Sequence, residues 1–154
     1  MEKEKKNFWT AEKSVTLSII VTILLSAVFI CLIFTAPMVF QWFSQRTRSE
    51  NACSTLIAVF YVCCLPAAAA VILLMKLLIN IRTGKVFTHT NVILLRYLSW
   101  CCFFVVPITA IGSFSYISLF VIAAAAAFMG LILRVLKNIM AAATEIKGEN
   151  DLTV

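Results

Sequence analysis

The chain has 154 residues, 62% of them hydrophobic and only 13% charged, with a formal net charge of +6. A soluble domain carries about 45–50% apolar and about 25% charged residues, so this composition excludes a water-soluble globule. Lipid removes the difficulty, provided that backbone groups pair within helices or a closed barrel. The apolar runs lack strict two-residue alternation, which favours helices over a barrel.

The N-terminal segment carries Lys3, Lys5, Lys6 and Lys13, with Phe8 and Trp9 as an interfacial pair. A first span is predicted over residues 14–40. It far exceeds the about 7–15 apolar residues of a signal peptide, so it reads as a retained helix. Phe40, Trp42 and Phe43 close it as an aromatic belt would. Arg46, Arg48 and Cys53 occupy the connection to the second span, predicted over 55–81. One cysteine there makes no internal bridge, although it could join two copies in a homo-oligomer.

A loop follows with Gly84, Lys85, Val86, Phe87, Thr88, His89 and Asn91. The third span is predicted over 92–111 and the fourth over 118–139. The turn between them is so short that these two helices must be antiparallel neighbours. Each span reaches the ~20 residues needed to cross the hydrocarbon core. The fold class is therefore all-α, a four-helix transmembrane bundle, with 1–154 as one integral membrane domain.

Two alanine runs, Ala67 to Ala70 and Ala123 to Ala127, fall near the middle of the second and fourth spans. Small side chains let helices approach closely in lipid, so these spans are expected to cross there. On that reading Ala67, Ala70, Ala123 and Ala127 pack, and a larger residue at Ala125 destabilises the bundle. Pro37, Pro66 and Pro107 lie within spans or near their ends and are taken as shaping them.

The fourth helix is expected to continue past the membrane as an amphipathic tail over 140–154. Ile132, Val135, Leu136, Ile139, Met140, Ala143 and Ile146 recur at three- and four-residue steps, with Arg134, Lys137, Asn138 and Glu145 off the stripe. Gly148 is a plausible stop.

Lysine and arginine set the orientation. Lys3, Lys5, Lys6, Lys13, Lys76, Arg82, Lys85, Arg96, Arg134, Lys137 and Lys147 all fall on one side, and only Arg46 and Arg48 on the other. Both termini are therefore expected in the cytoplasm, with the lipid bilayer as the first partner and no direct contact with nucleic acid.

Little in the chain could carry chemistry. His89 is the one histidine and has no neighbouring base or acid. Cys31, Cys63, Cys64, Cys101 and Cys102 fall within spans, where Cys serves as a small apolar residue. No nucleophile–base pair, metal motif or phosphate loop is present, so neither an enzyme nor a cofactor is expected. Buried ionisable groups, which coupled carriers usually need, are missing at membrane depth.

Gly84-Lys85-Val86-Phe87-Thr88, Asn91-Val92, Leu95-Arg96 and the ending Glu149-Asn150-Asp151-Leu152-Thr153-Val154 resemble a bacterial family of small four-span membrane proteins, the YoaS-like group. The resemblance implies residence in the bacterial cell (cytoplasmic) membrane. It also implies a partner, because genes of that family commonly lie beside one for an Xre-type helix-turn-helix regulator. On this resemblance Gly84, Phe87, Asn91, Arg96 and the six tail residues are the candidate partner-binding set, and the expected function is to regulate or tether that regulator. Two other functions remain open. One is self-protection against a secreted peptide, through the spans and the segment 41–54; the other is a small-molecule transporter or channel.

Overall fold

A computed structural model describes residues 2–47, 50–114 and 116–152, with side chains described for 13–42, 54–114 and 116–149. The chain forms four helices: α1 (Glu2–Thr47), α2 (Glu50–Arg82), α3 (His89–Gly112) and α4 (Ser118–Leu152). Each contains a segment long and apolar enough to cross a membrane: Lys13–Trp42, Ser54–Arg82, His89–Gly112 and Ser118–Glu149. The protein is thus an all-α, multi-pass membrane protein. Successive helices run antiparallel, so both termini lie at one end of the bundle.

Packing is strictly serial. Among the described residues α1 packs on α2, α2 on α3 and α3 on α4, while α2 and α4 have no backbone approach to one another. The expected crossing of α2 and α4 at their alanine runs is therefore not formed. The physical reason is that α3 takes the place between them. Ala123 is buried, but α4's helical neighbour is α3. Ala67, Ala70 and Ala127 are half-buried, whereas Ala124 and Ala125 face outward. Ala125 consequently has room for a larger side chain, contrary to the expectation that it packs.

The residues that α4 turns inward step by four and three: Leu119, Ala123, Ala126, Gly130, Leu133, Lys137, Met140 and Thr144. That spacing is a heptad seam, which keeps one stripe of a helix against a neighbour. Its small members admit the large ones of α3. A Cβ at Gly130 would stand 3.2 Å from the Phe103 ring and 3.4 Å from Cys102. The stripe of Ile132, Val135, Leu136, Ile139 and Ile146 is exposed instead.

α1 has a seam of the same spacing, through Val15, Ile19, Thr22, Ser26, Phe29, Ile33, Ala36 and Phe40. Thr22 and Ser26 are tolerable there because their hydroxyls donate to carbonyls one turn back, Ser18 O at 2.8 Å and Thr22 O at 2.7 Å. α1 also runs unbroken through Pro37. Proline has no N–H, so the carbonyl of Ile33, four residues earlier, loses its helical donor. The Tyr61 hydroxyl of α2 donates to Ile33 O at 3.3 Å and replaces it. Neighbouring side chains of this kind are what make proline acceptable in a membrane helix. Phe60, beside Tyr61, meets Phe40 edge-on at 5.8 Å between ring centres.

Candidate partner-binding site at the end holding the termini

The α2–α3 turn is built by backbone geometry first. Gly84 has φ +76°, the left-handed conformation that glycine enters without steric cost. The N–H of Gly84 donates to Ile81 O and that of Lys85 to Asn80 O, each at 3.1 Å. Those two bonds together form a Schellman motif, which ends α2 and satisfies two of its last carbonyls. Thr88, extended at φ −133° and ψ 145°, then starts α3 as its N-cap.

Asn91 locks the turn in place. It is 0% exposed, the most deeply buried side chain described. Its amide nitrogen donates to Lys85 O at 2.7 Å and to Val86 O at 2.8 Å. Its amide oxygen accepts from the Asn80 side chain at 2.8 Å. Both of its donor hydrogens are used, and its oxygen ties the turn to α2. Asn91 is thus a positioning residue whose side chain is turned inward, away from any partner. The sequence reading missed Asn80. The signal was available, since asparagines at the end of one apolar run and the start of the next can meet across a tight turn.

The other candidates sit on the surface. Gly84 is exposed and a Cβ there would meet nothing within 4 Å. Phe87 stands 44% exposed on the fixed turn. Arg96 is exposed further along α3. Glu149 is exposed on α4. The side chains of Asn150, Asp151 and Leu152 lie outside the described ones, and Thr153 and Val154 lie outside the described residues altogether.

Register places the charges. Asn80 faces Asn91, so Lys76 on α2 stands level with Leu95 and Arg96 on α3. Gly130 faces Cys102 and Phe103, so Lys137 on α4 reaches the same level. Three helices therefore carry a basic residue at one depth, as a belt at a membrane boundary would. Beyond it, α4 outruns α3. From Gly130 the helix continues to Leu152, whereas α3 goes back only from Cys102 to His89. At about 1.5 Å per residue the excess is about 13 Å.

Gly148 does not end α4, in contrast to the sequence expectation. It lies inside the helix with open space about it. A glycine costs a helix only about 1 kcal/mol relative to alanine, too little to stop one whose flanking residues continue it.

Among the described residues no three of His, Cys, Asp and Glu gather as metal ligands would. No curated protein and no solved structure matches the chain. Residues 49–154 match the family described as "Protein of unknown function (DUF2975)", a match that takes in α2, α3 and α4 and leaves α1 outside. With more than half of its length matched, the chain belongs to that family.

Proposed function

We propose that this protein is a non-enzymatic regulator that holds a cytoplasmic partner, a small helix-turn-helix DNA-binding protein, against the bacterial cytoplasmic membrane. The observation that carries the reading is the overrun of α4, a continuous helix that extends past the start of α3 and exposes Ile146 there, with Ile139, seven residues earlier, exposed alongside α3. An apolar stripe of that spacing suits a groove or a second helix in a partner. Phe87, held on the locked α2–α3 turn at the same end, offers a second apolar contact. The basic belt supports placing this end in the cytoplasm.

Glu145 and Glu149 are exposed on the overrun, and Asp151 follows in sequence. Acidic groups there favour a basic partner, which DNA-binding proteins are on their reading face. Exposed pairs contribute only ~0–1 kcal/mol each, so the isoleucines supply most of the affinity. The resemblance to membrane proteins encoded beside Xre-type regulators supports the partner class.

The test is crosslinking in native membranes with three chains: the full sequence, one ending at Gly148, and Ile146→Asp. The expected result is a DNA-binding protein crosslinked to the full chain and reduced roughly tenfold by Ile146→Asp, as loss of one buried isoleucine would give. Ending at Gly148 should reduce it less, because that removes acidic groups but keeps both isoleucines. If the full chain captures only lipid and copies of itself, the tether reading is wrong.

A further inference from the structure

The α3–α4 turn, at the end away from the termini, differs from every other connection in having no charged residue near it. From Tyr97 through Leu133 the sequence contains no Asp, Glu, Lys, Arg or His. The turn instead presents apolar side chains outward: Phe114 is 95% exposed, Ile117 85% and Ile111 72%. In water such a turn would be an unfavourable surface.

Its backbone is arranged for a medium without water. Ser113 N–H donates to Thr109 O at 3.0 Å, Phe114 N–H to Ile111 O at 3.4 Å and Tyr116 N–H to Gly112 O at 3.2 Å. The Ser113 hydroxyl donates to Ala110 O at 2.6 Å. Within lipid, polar groups must be satisfied by the protein itself, and these four donors are.

Depth agrees with chemistry. Val59 of α2 packs at Gly112, where α3 ends. From Val59, α2 continues away from the termini to Glu50, about 13 Å at about 1.5 Å per residue. The turn after Gly112 regains only part of that length, so it is recessed by roughly 10 Å behind the α1–α2 connection. Arg46 near the end of α1 and Glu50 at the start of α2 flank that higher connection. Measured from the basic belt, Arg96 to Gly112 covers only about 24 Å, less than the about 30 Å hydrocarbon core.

We infer that the α3–α4 turn ends inside the membrane, with Ile111, Phe114 and Ile117 seated among the lipids of the leaflet opposite the termini. Lipid is the occupant because the surface is uncharged, continuous with two spans and set behind the nearest charged residues. The α1–α2 connection alone then meets water on that side. This conclusion is independent of the tether reading.

The experiment places a tryptophan at the turn, Phe114→Trp, in the full chain reconstituted in phosphatidylcholine vesicles. Emission is compared with the parent chain, which has Trp9, Trp42 and Trp100. Two quenchers are applied: phosphatidylcholine brominated near the top of its acyl chains, and iodide loaded on both faces by freeze–thaw. The expected result is added emission that falls at least about twofold in brominated lipid and by less than about a tenth in iodide, as for a side chain in the water-free hydrocarbon region. Quenching mainly by iodide overturns the proposal, because the turn then stands in water. Insensitivity to both overturns it too, since protein then covers the turn. Ile117→Trp repeats the measurement at a second position, and helical circular dichroism confirms that each chain is folded.

Discussion

The two turns that flank α3 solve the same problem by opposite means. The α2–α3 turn is polar at its centre: a fully buried Asn91 satisfies two backbone carbonyls and holds Asn80, while Lys85 and Phe87 face outward. The α3–α4 turn is closed by shape. Gly112 is buried where Leu119 of α4 and Val59 of α2 converge on it. A polar lock fixes one set of partners and leaves the outside free to vary. A steric lock needs only a missing side chain, and it suits a turn whose surroundings offer no hydrogen bonds.

Three substitutions test that contrast, in order of expected effect. Asn91→Ala removes both donors and the acceptor and leaves Lys85 O, Val86 O and the Asn80 amide without them. At about 1–3 kcal/mol for each buried group left unpaired, the loss should be on the order of 3 kcal/mol. Unfolding in mixed micelles, followed by helicity, reads it directly. Equal stability of Asn91→Ala and the parent would mean that the inner lock contributes nothing.

Gly112→Ala should come second. Its Cβ would stand 2.8 Å from Leu119 Cδ1 and 2.9 Å from Val59 Cγ2, so those side chains must move, at about 1–3 kcal/mol for overpacking. A double variant with Leu119→Ala should recover part of the loss. Without recovery, the outer turn is not held by that contact.

Gly84→Ala is the mildest. No neighbour opposes the new methyl, and only the left-handed backbone is penalised, by about 1–2 kcal/mol. The same denaturation assay measures it. A loss as large as that of Asn91→Ala would shift the weight of the inner turn from hydrogen bonds to backbone conformation.

The spans were legible in the sequence because lipid imposes the rule on every residue at once, and runs such as Ser14–Phe40 admit no other reading. Helix partners were not. Apolar surfaces offer little to tell one neighbour from another, so Ala123 was assigned to α2 when it packs toward α3. The heptad seams of α1 and α4 were present in the sequence but obscured, because apolar residues flank them on every side. At the candidate site, the sequence singled out Gly84, whose left-handed φ explains its presence in the turn. It misread Asn91 as a contact residue, since periodicity carries no information about an amide reaching across a turn. Tyr61, which restores the hydrogen bond removed by Pro37, is invisible without the α1–α2 register.

Serial packing has a consequence for biogenesis. Among the described residues the backbone of each helix packs against that of the helices made just before and just after it, so nearly all tertiary contacts join segments close in sequence. Such a chain can settle hairpin by hairpin as it leaves the ribosome, without waiting for its C-terminus, and low contact order of this kind favours rapid assembly. α1 occupies one edge of the row and lies outside the matched family region. Its addition or loss leaves the α2–α3 and α3–α4 contacts as they are, which makes that edge the place where such a protein can gain or shed a helix over evolutionary time.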